Sequence, residues 1–211
     1  MDENELYKAW RAGDSSAGEA LIGALYPTVF RFFYTRVPTE VCEDLTQKTF
    51  ERLCQRDGFR GTGSIRGYVL GIARFTLIHW VRKRRRFEPA EESLLGDAVE
   101  RTINSLIADR ELGRIVAAAL RSLRLDDQIL IELKDWEGLT QAELAELFEV
   151  PRPTVARRLQ RARARLKSAV HGLVAEPLAR QRCLQGIETC MRSIRRRKVE
   201  RFRTNSPPSE V

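Results

Sequence analysis

Gly138-Leu-Thr-Gln-Ala-Glu-Leu-Ala-Glu-Leu-Phe-Glu-Val-Pro-Arg-Pro-Thr-Val-Ala-Arg-Arg-Leu-Gln-Arg-Ala-Arg-Ala-Arg-Leu166 reads as two helices joined by one sharp turn. Thr140-Gln-Ala-Glu143 has the form of a capping box, in which the hydroxyl and the carboxylate satisfy the free amides of a helix start. Apolar Ala142, Leu144, Ala145, Leu147 and Phe148 follow. Pro151-Arg-Pro153 ends that helix and suits the opening of the next, since proline is tolerated in a first turn. Beyond it, Val155, Leu159, Ala162 and Leu166 recur at helical spacing on one side. Arg157, Arg158, Arg161 and Arg165 occupy the other. A short helix, a turn and a second helix with an arginine face make a helix-turn-helix, whose second helix enters the DNA major groove. The alternative is a plain helical hairpin with a solvated basic face; the agreement of cap, turn and arginine face argues against it. Spacing does not separate arginines that read bases from those that hold phosphates, and most such contacts go to the backbone.

Outward from this segment, charge runs in blocks. Asp126 to Glu149 carries eight acids and one lysine, whereas Pro151 to Val170 carries seven bases and no acid. Arg82-Lys-Arg-Arg-Arg86 is an unbroken basic run, and Phe87 to Ala108 holds five acids against Arg101 alone. Such alternation points to distinct functional faces more than to a uniform basic coat. The whole chain of 211 residues has a net charge of +8 and a pI near 9.7, which favours a polyanionic partner.

Composition excludes several classes. Hydrophobic residues are 43% and charged residues 31% of the chain, enough for a buried core. The longest apolar runs, Tyr68 to Ala73 and Ile115 to Leu120, fall far short of the about 20 residues of a spanning helix, so no membrane insertion is expected. The acidic start, Met1-Asp-Glu-Asn-Glu5, is unlike a basic signal peptide, and four scattered cysteines do not form a secreted disulfide framework. A cytoplasmic protein is expected. With two histidines in the chain, His-rich metal sites and Ser-His-Asp triads find little support. There is no P-loop, and Gly61-Thr-Gly-Ser-Ile-Arg-Gly67 misses the dinucleotide spacing by one residue. No cofactor is implied.

Strand signals are nearly absent. Ile65, Val69, Ile72, Thr76 and Trp80 recur at three or four residues and predict one face of a long helix from Ser64 onward. Leu106 to Leu125 predicts another, with an Ala-rich centre. Pro89 and Gly96 mark Phe87 to about Ser105 as a linker, and Asn205-Ser-Pro-Pro-Ser-Glu-Val211 predicts a disordered end.

Glu43-Asp-Leu-Thr-Gln-Lys-Thr-Phe50 resembles the Asp-Leu-x-Gln-Glu-x-Phe motif of extracytoplasmic-function sigma factors of the sigma-70 superfamily. The resemblance continues through Phe59-Arg-Gly61, Tyr68-Val-Leu-Gly-Ile-Ala73 and the basic run to Arg86. It resumes from Leu120 to Leu166, where Thr154-Val155 and Arg161-Ala-Arg163 match the recognition helix, and it covers roughly residues 14 to 170. It implies an all-α initiation factor with two small helical domains. Residues 1–86 would be region 2, binding core polymerase and the minus-ten element; 87–108 an acidic linker; 109–170 region 4, binding the minus-thirty-five element; and 171–211 a basic extension with a disordered end. The implied partners are core RNA polymerase, through its clamp helices and flap, and promoter DNA; an anti-sigma factor is a further candidate.

The resemblance also implies which residues act. Asp44, Gln47, Lys48 and Glu51 share one polar helical face, opposite Val41, Leu45 and Leu53, and become the polymerase-binding set. Melting DNA requires capture of unstacked bases, for which aromatic and arginine planes beside a basic groove are suited. Phe59, Arg60, Arg74, Phe75, His79, Arg82, Arg84 and Arg85 become the minus-ten set. Tyr68 is of the same type, while Trp80, on the Ile65 stripe, is expected in the core. Arg152, Thr154, Arg157, Arg158, Arg161 and Arg165 become the minus-thirty-five set. Lys48 stands where an acid is usual, Phe75 where Asn is, His79 where Asp or Asn is, and Ala156 where Arg is frequent, so promoter choice does not carry over. Cys42 and Cys54 look like region 2 core. Cys183 and Cys190, seven residues apart, are weak metal candidates with His171, since structural zinc takes four ligands; small apolar packing is the better account of them.

The expectation is therefore a sigma factor that lends promoter recognition to RNA polymerase and is no enzyme itself. A stand-alone helix-turn-helix regulator is the nearest rival, opposed by the Asp44 to Phe50 motif. A nucleic-acid-processing enzyme is the other, and no compact acidic or histidine cluster supports it.

Overall fold

Asp2 opens the first helix through a reciprocal cap: the Glu5 amide donates to the Asp2 carboxylate at 2.8 Å while the Asp2 amide donates to Glu5 Oε2 at 2.8 Å. This is α1, Glu3–Arg11. The computed structural model describes residues 1–34, 36–55, 58, 59, 61, 63–87, 110–178, 181, 184 and 185, with backbone alone for 85–87 and 110–113. The described residues are all-α: α2 Ser15–Tyr34, α3 Thr39–Gln55, α4 Ile65–Phe87, α5 Arg110–Arg121, α6 Leu125–Ile131, α7 Gln141–Phe148 and α8 Arg152–Leu173 follow. A π-helical turn, Glu132–Trp136, continues α6. The expected linker beyond Phe87, most of the C-terminal extension and the expected disordered end lie outside the described residues.

The chain forms two compact units, Met1–Arg101 with Ala142–Arg152, and Thr102–Gln141 with Pro153–Val211. In the first, short polar side chains also start α2 and α4. Asp14 accepts from the Ala17 amide at 3.0 Å at the start of α2, and Ser64 accepts from the Gly67 amide at 3.1 Å at the start of α4. Gly13, at φ +106°, carries the left-handed turn between α1 and α2; its amide and that of Asp14 return to the Trp10 and Ala9 carbonyls. Arg36, 2% exposed, ends α2 by donating to the Phe32 carbonyl at 2.6 Å with its guanidinium over the Phe32 ring. The core of this unit joins Leu21, Leu25, Val29 and Phe33 of α2 to Cys42, Leu45 and Leu53 of α3 and Ile65, Val69, Ala73 and Leu77 of α4.

α1 is tied to the head of α4. Asn4 Oδ1 accepts the Ile65 amide at 2.8 Å, and the Glu3 carboxylate accepts from Arg66 Nε and Nη2. Tyr7, Trp10, Phe59 and Tyr68 form an aromatic cluster at that end, with Phe59 5.2 Å from Tyr7 and 5.6 Å from Tyr68 between ring centres.

The expected α4 face needs correction. Ile65, Val69 and Thr76 are buried, but Ile72 and Trp80 are half-buried, because Ala73 and Leu77 complete the buried stripe instead. Cys54 is exposed, not core, while Cys42 is buried against the Val37 and Pro38 carbonyls. The helix expected over Leu106 to Leu125 ends at Arg121: the Ser122 hydroxyl donates to the Ala119 carbonyl at 2.7 Å, a local bond that competes with helix continuation. α6 then begins with Asp126 and Asp127 in its first turn, where the helix dipole favours acids.

α7 ends in a Schellman turn: the Val150 amide reaches the Ala145 carbonyl and the Glu149 amide the Glu146 carbonyl, with Glu149 itself at φ +54°. In the second unit, Ile129, Leu130, Leu133 and Trp136 are buried, as are Val155, Leu159, Ala162, Leu166 and Val170 along α8.

Candidate nucleic-acid and partner interfaces

α8 separates its residues as a major-groove helix must. Its apolar stripe is buried, and Arg152, Arg157, Arg158, Arg161, Arg163 and Arg165 are exposed. Thr154, on the first turn, is half-buried. The arginines differ in what holds them. Arg163 donates to Asp135 through Nε at 3.3 Å and Nη2 at 2.5 Å. Arg165 is ion-paired with Asp127 of α6. Both carboxylates are 14% exposed, so these pairs anchor the far half of α8 to α6 and the π turn. No local pattern marks these pairs, because the partners lie 28 and 38 residues away. Arg157, Arg158 and Arg161 project from the near half.

On α3, Leu45, Thr46, Thr49, Phe50 and Leu53 face inward, which leaves Asp44, Gln47, Lys48 and Glu51 exposed together. These four are paired one turn apart: Lys48 Nζ lies 2.6 Å from Asp44 Oδ2, and Gln47 Nε2 donates to Glu51 Oε1 at 2.8 Å. Lys48, at the position where the family motif carries an acid, thus neutralises Asp44 within the helix. The face presents its carboxylates already bridged, and any partner binding them must compete with these bonds.

α4 carries the remaining candidates. Phe75 is 57% exposed, and the Arg52 guanidinium sits 5.3 Å from its ring centre while donating to Thr76 Oγ1 at 2.7 Å. His79 and Arg82 are exposed one and two turns further along. The Arg84 guanidinium lies 5.3 Å over the half-buried Trp80 ring. Arg74 is half-buried, its guanidinium 4.5 Å over the Phe148 ring within the first unit. Phe59 belongs to the aromatic cluster beside α1 and is not on this line. Phe75, His79 and Arg82 of α4, with Arg52 of α3, thus place a solvent-facing ring, an imidazole and two guanidinium groups along one edge, the chemistry that stacks unpaired bases and neutralises their phosphates. Arg60, the side chain of Arg85, Cys183 and Cys190 lie outside the described residues. Among the described residues no three His, Cys, Asp or Glu side chains are grouped to hold a metal ion, and no helix is long and apolar enough to cross a membrane.

Comparison with known proteins meets the same two surfaces. The family description "Sigma-70 region 2" matches residues 21–87, and "Sigma-70, region 4" matches residues 113–166. The ECF RNA polymerase sigma-E factor of Haemophilus influenzae is 24% identical over 185 residues, spanning 82% of this chain and 98% of that protein. The factor of the same name from Escherichia coli K12 is 26% identical over 185 residues, spanning 82% and 97%. Two solved structures share the fold. The sigma factor RpoE in complex with the anti-sigma factor NepR from Bartonella quintana has a TM-score of 0.52 at 18% identity, covering 72% of this chain and 95% of that one. CnrH in complex with the cytosolic domain of CnrY has a TM-score of 0.56 at 20% identity, covering 81% and 97%. With a region 2 carrying the α3 and α4 surfaces followed by a region 4 carrying the arginines of α8, the chain belongs to the extracytoplasmic-function group of the sigma-70 family and serves RNA polymerase in promoter recognition and transcription initiation.

Proposed function

We propose that the labour is divided by helix. Residues 1–86 act as the polymerase-binding and melting domain, 109–170 as the upstream reader, 87–108 as a linker, and 171–211 as a modulatory extension. On α3, Asp44, Gln47, Lys48 and Glu51 face the clamp helices of core polymerase. On and near α4, Arg74, Phe75, His79, Arg82, Arg84 and Arg85 receive the unpaired minus-ten strand together with Arg60, while Phe59 packs in the aromatic cluster beside α1. On α8, Arg152, Thr154, Arg157, Arg158 and Arg161 face the minus-thirty-five duplex. Arg165, held by Asp127, serves this surface as an anchor of the helix. The second domain also meets the polymerase flap.

In this reading the protein performs no chemistry and works in the cytoplasm, where its polymerase is. A structurally similar sigma factor is bound by an anti-sigma factor, so a protein inhibitor of that kind is a proposed partner here. The observation that carries the reading is the partition of α8 into a buried apolar stripe and an exposed arginine face, on the same chain as the α3 motif. Asp44→Arg combined with Gln47→Ala tests the polymerase side. Both residues are exposed, so the fold should survive while capture of core polymerase weakens. Capture equal to that of the unaltered chain would defeat the assignment.

A further inference from the structure

α2 buries Leu21, Leu25, Val29, Phe32 and Phe33, and turns a second set of aromatic residues outward. Tyr26, Phe30 and Tyr34 stand at i, i+4 and i+8. Their rings stack with centres 6.0 and 6.1 Å apart and planes within 16° and 22°. The ladder crosses to α3, where Phe50 stacks on Tyr26 at 6.2 Å and 9°. Tyr26 is 42% exposed, while Phe30 and Tyr34 are half-buried. Phe50 is itself buried on α3, three residues from Gln47, so the ladder ends at the inner border of that helix's polar face.

We propose that Tyr26, Phe30 and Tyr34 are the main adhesive surface for core polymerase, and that they take a basic helix with apolar side chains. This rests on the reading of α3 as the polymerase-facing helix and relocates the source of its affinity. The polar residues of α3 are exposed and already bonded to each other, and solvent-exposed pairs contribute little net binding. They are suited to setting register. Aromatic rings bring large rigid area at low entropic cost, and exposed aromatic patches mark interaction sites.

Charge selects the occupant. The exposed charged residues of α3 are Glu40, Glu43, Asp44 and Glu51 against Lys48, on a chain whose net charge is +8. An aromatic strip with an acidic border repels nucleic-acid phosphates and a second copy of itself, and attracts a cationic helix.

The test uses the full chain and purified core polymerase, with affinity read by fluorescence anisotropy. Tyr26→Lys keeps a long side chain at an exposed position while inverting the charge preference, and should weaken binding on the order of tenfold or more. Tyr26→Phe should stay within about twofold. Phe30→Leu, which retains apolar volume but loses the stack, should weaken binding several-fold and stands in if Tyr26→Lys lowers the melting temperature. Unchanged affinity in Tyr26→Lys and Phe30→Leu, alongside a loss in the Asp44→Arg, Gln47→Ala chain, overturns the aromatic strip and leaves the α3 reading intact. Unchanged affinity in all of them overturns both. The proposal also fails if the variants keep polymerase affinity but lose a labelled minus-ten oligonucleotide from the holoenzyme, or if their only change is loss of a dimer in sedimentation.

Discussion

Replacing the α8 arginines one at a time by alanine should divide them into two classes with opposite signatures. Arg157, Arg158 and Arg161 are exposed, so their loss should change stability by no more than about 0.5 kcal/mol. Their loss should be felt on DNA. Each phosphate contact contributes about 0.9 to the log–log salt slope, so between 50 and 200 mM salt one contact accounts for about a 3.5-fold change in affinity and three for about 40-fold. An arginine that holds a phosphate lowers the magnitude of that slope by about 0.9 when removed and weakens all sequences alike. An arginine that bonds guanine instead costs about 1–3 kcal/mol, roughly 5- to 150-fold, and relaxes one base pair. Arg163 and Arg165 are about half exposed, but their partners Asp135 and Asp127 are only 14% exposed. Removing either arginine strands a mostly buried carboxylate, and should cost up to about 1 kcal/mol of stability while leaving the slope unchanged. The assay is titration of the full chain against a labelled minus-thirty-five duplex at four salt concentrations, with melting curves for each variant. Should Arg157→Ala, Arg158→Ala and Arg161→Ala all match the unaltered chain in affinity, specificity and slope, the arginine face is only solvated surface. Should Arg165→Ala flatten the slope as they do, its bond to Asp127 is exchanged for DNA and the anchor argument is wrong.

Three further outcomes follow from the packing. Gly18→Ala should destabilise the fold by about 1–3 kcal/mol, because a Cβ there would lie 2.5–2.9 Å from the Trp10 indole; this outweighs the about 1 kcal/mol that alanine gains in a helix, and a raised melting temperature would refute the packing. Glu149→Gly should raise stability by up to about 1 kcal/mol, since Glu149 occupies a left-handed turn at φ +54° that glycine adopts without strain; a lower melting temperature would count against that turn. A chain ending at Glu176, which keeps the buried Val174, should retain its helical signal and its affinity for core polymerase, and loss of either would give residues 177–211 a structural role.

What was legible in the sequence was what depends on local periodicity. The stripe of Val155, Leu159, Ala162 and Leu166 is buried as spacing required, and Pro151-Arg-Pro153 separates two helices where the proline rule places the break. The exposure of Asp44, Gln47, Lys48 and Glu51 followed from the same reasoning on α3. Spacing could not tell Ala73 and Leu77 from Ile72 and Trp80, because a wide apolar helix leaves the packed side to be chosen by its neighbours. Nor could it show that Ser122 would fold back on Ala119 and stop α5. Cys54, one residue past buried Leu53, faces solvent for the same reason. Spacing by four in Tyr26, Phe30 and Tyr34 does not by itself announce the aromatic ladder. Only the burial of Phe32 and Phe33 on the other side reveals that it faces outward. The anchors of Arg163 and Arg165 are tertiary and leave no local trace.

Run-off transcription measures promoter-directed initiation itself. Purified core polymerase, with and without this chain, is given a library of promoter fragments bearing varied minus-thirty-five and minus-ten elements. Discrete transcripts should come from a subset of fragments only when the chain is present, and should be lost with Asp44→Arg, Gln47→Ala and with Arg157→Ala, Arg158→Ala, Arg161→Ala combined. Absence of any chain-dependent transcript, while the chain alone binds one duplex tightly and specifically, would contradict promoter-directed initiation and identify a regulator that acts without polymerase.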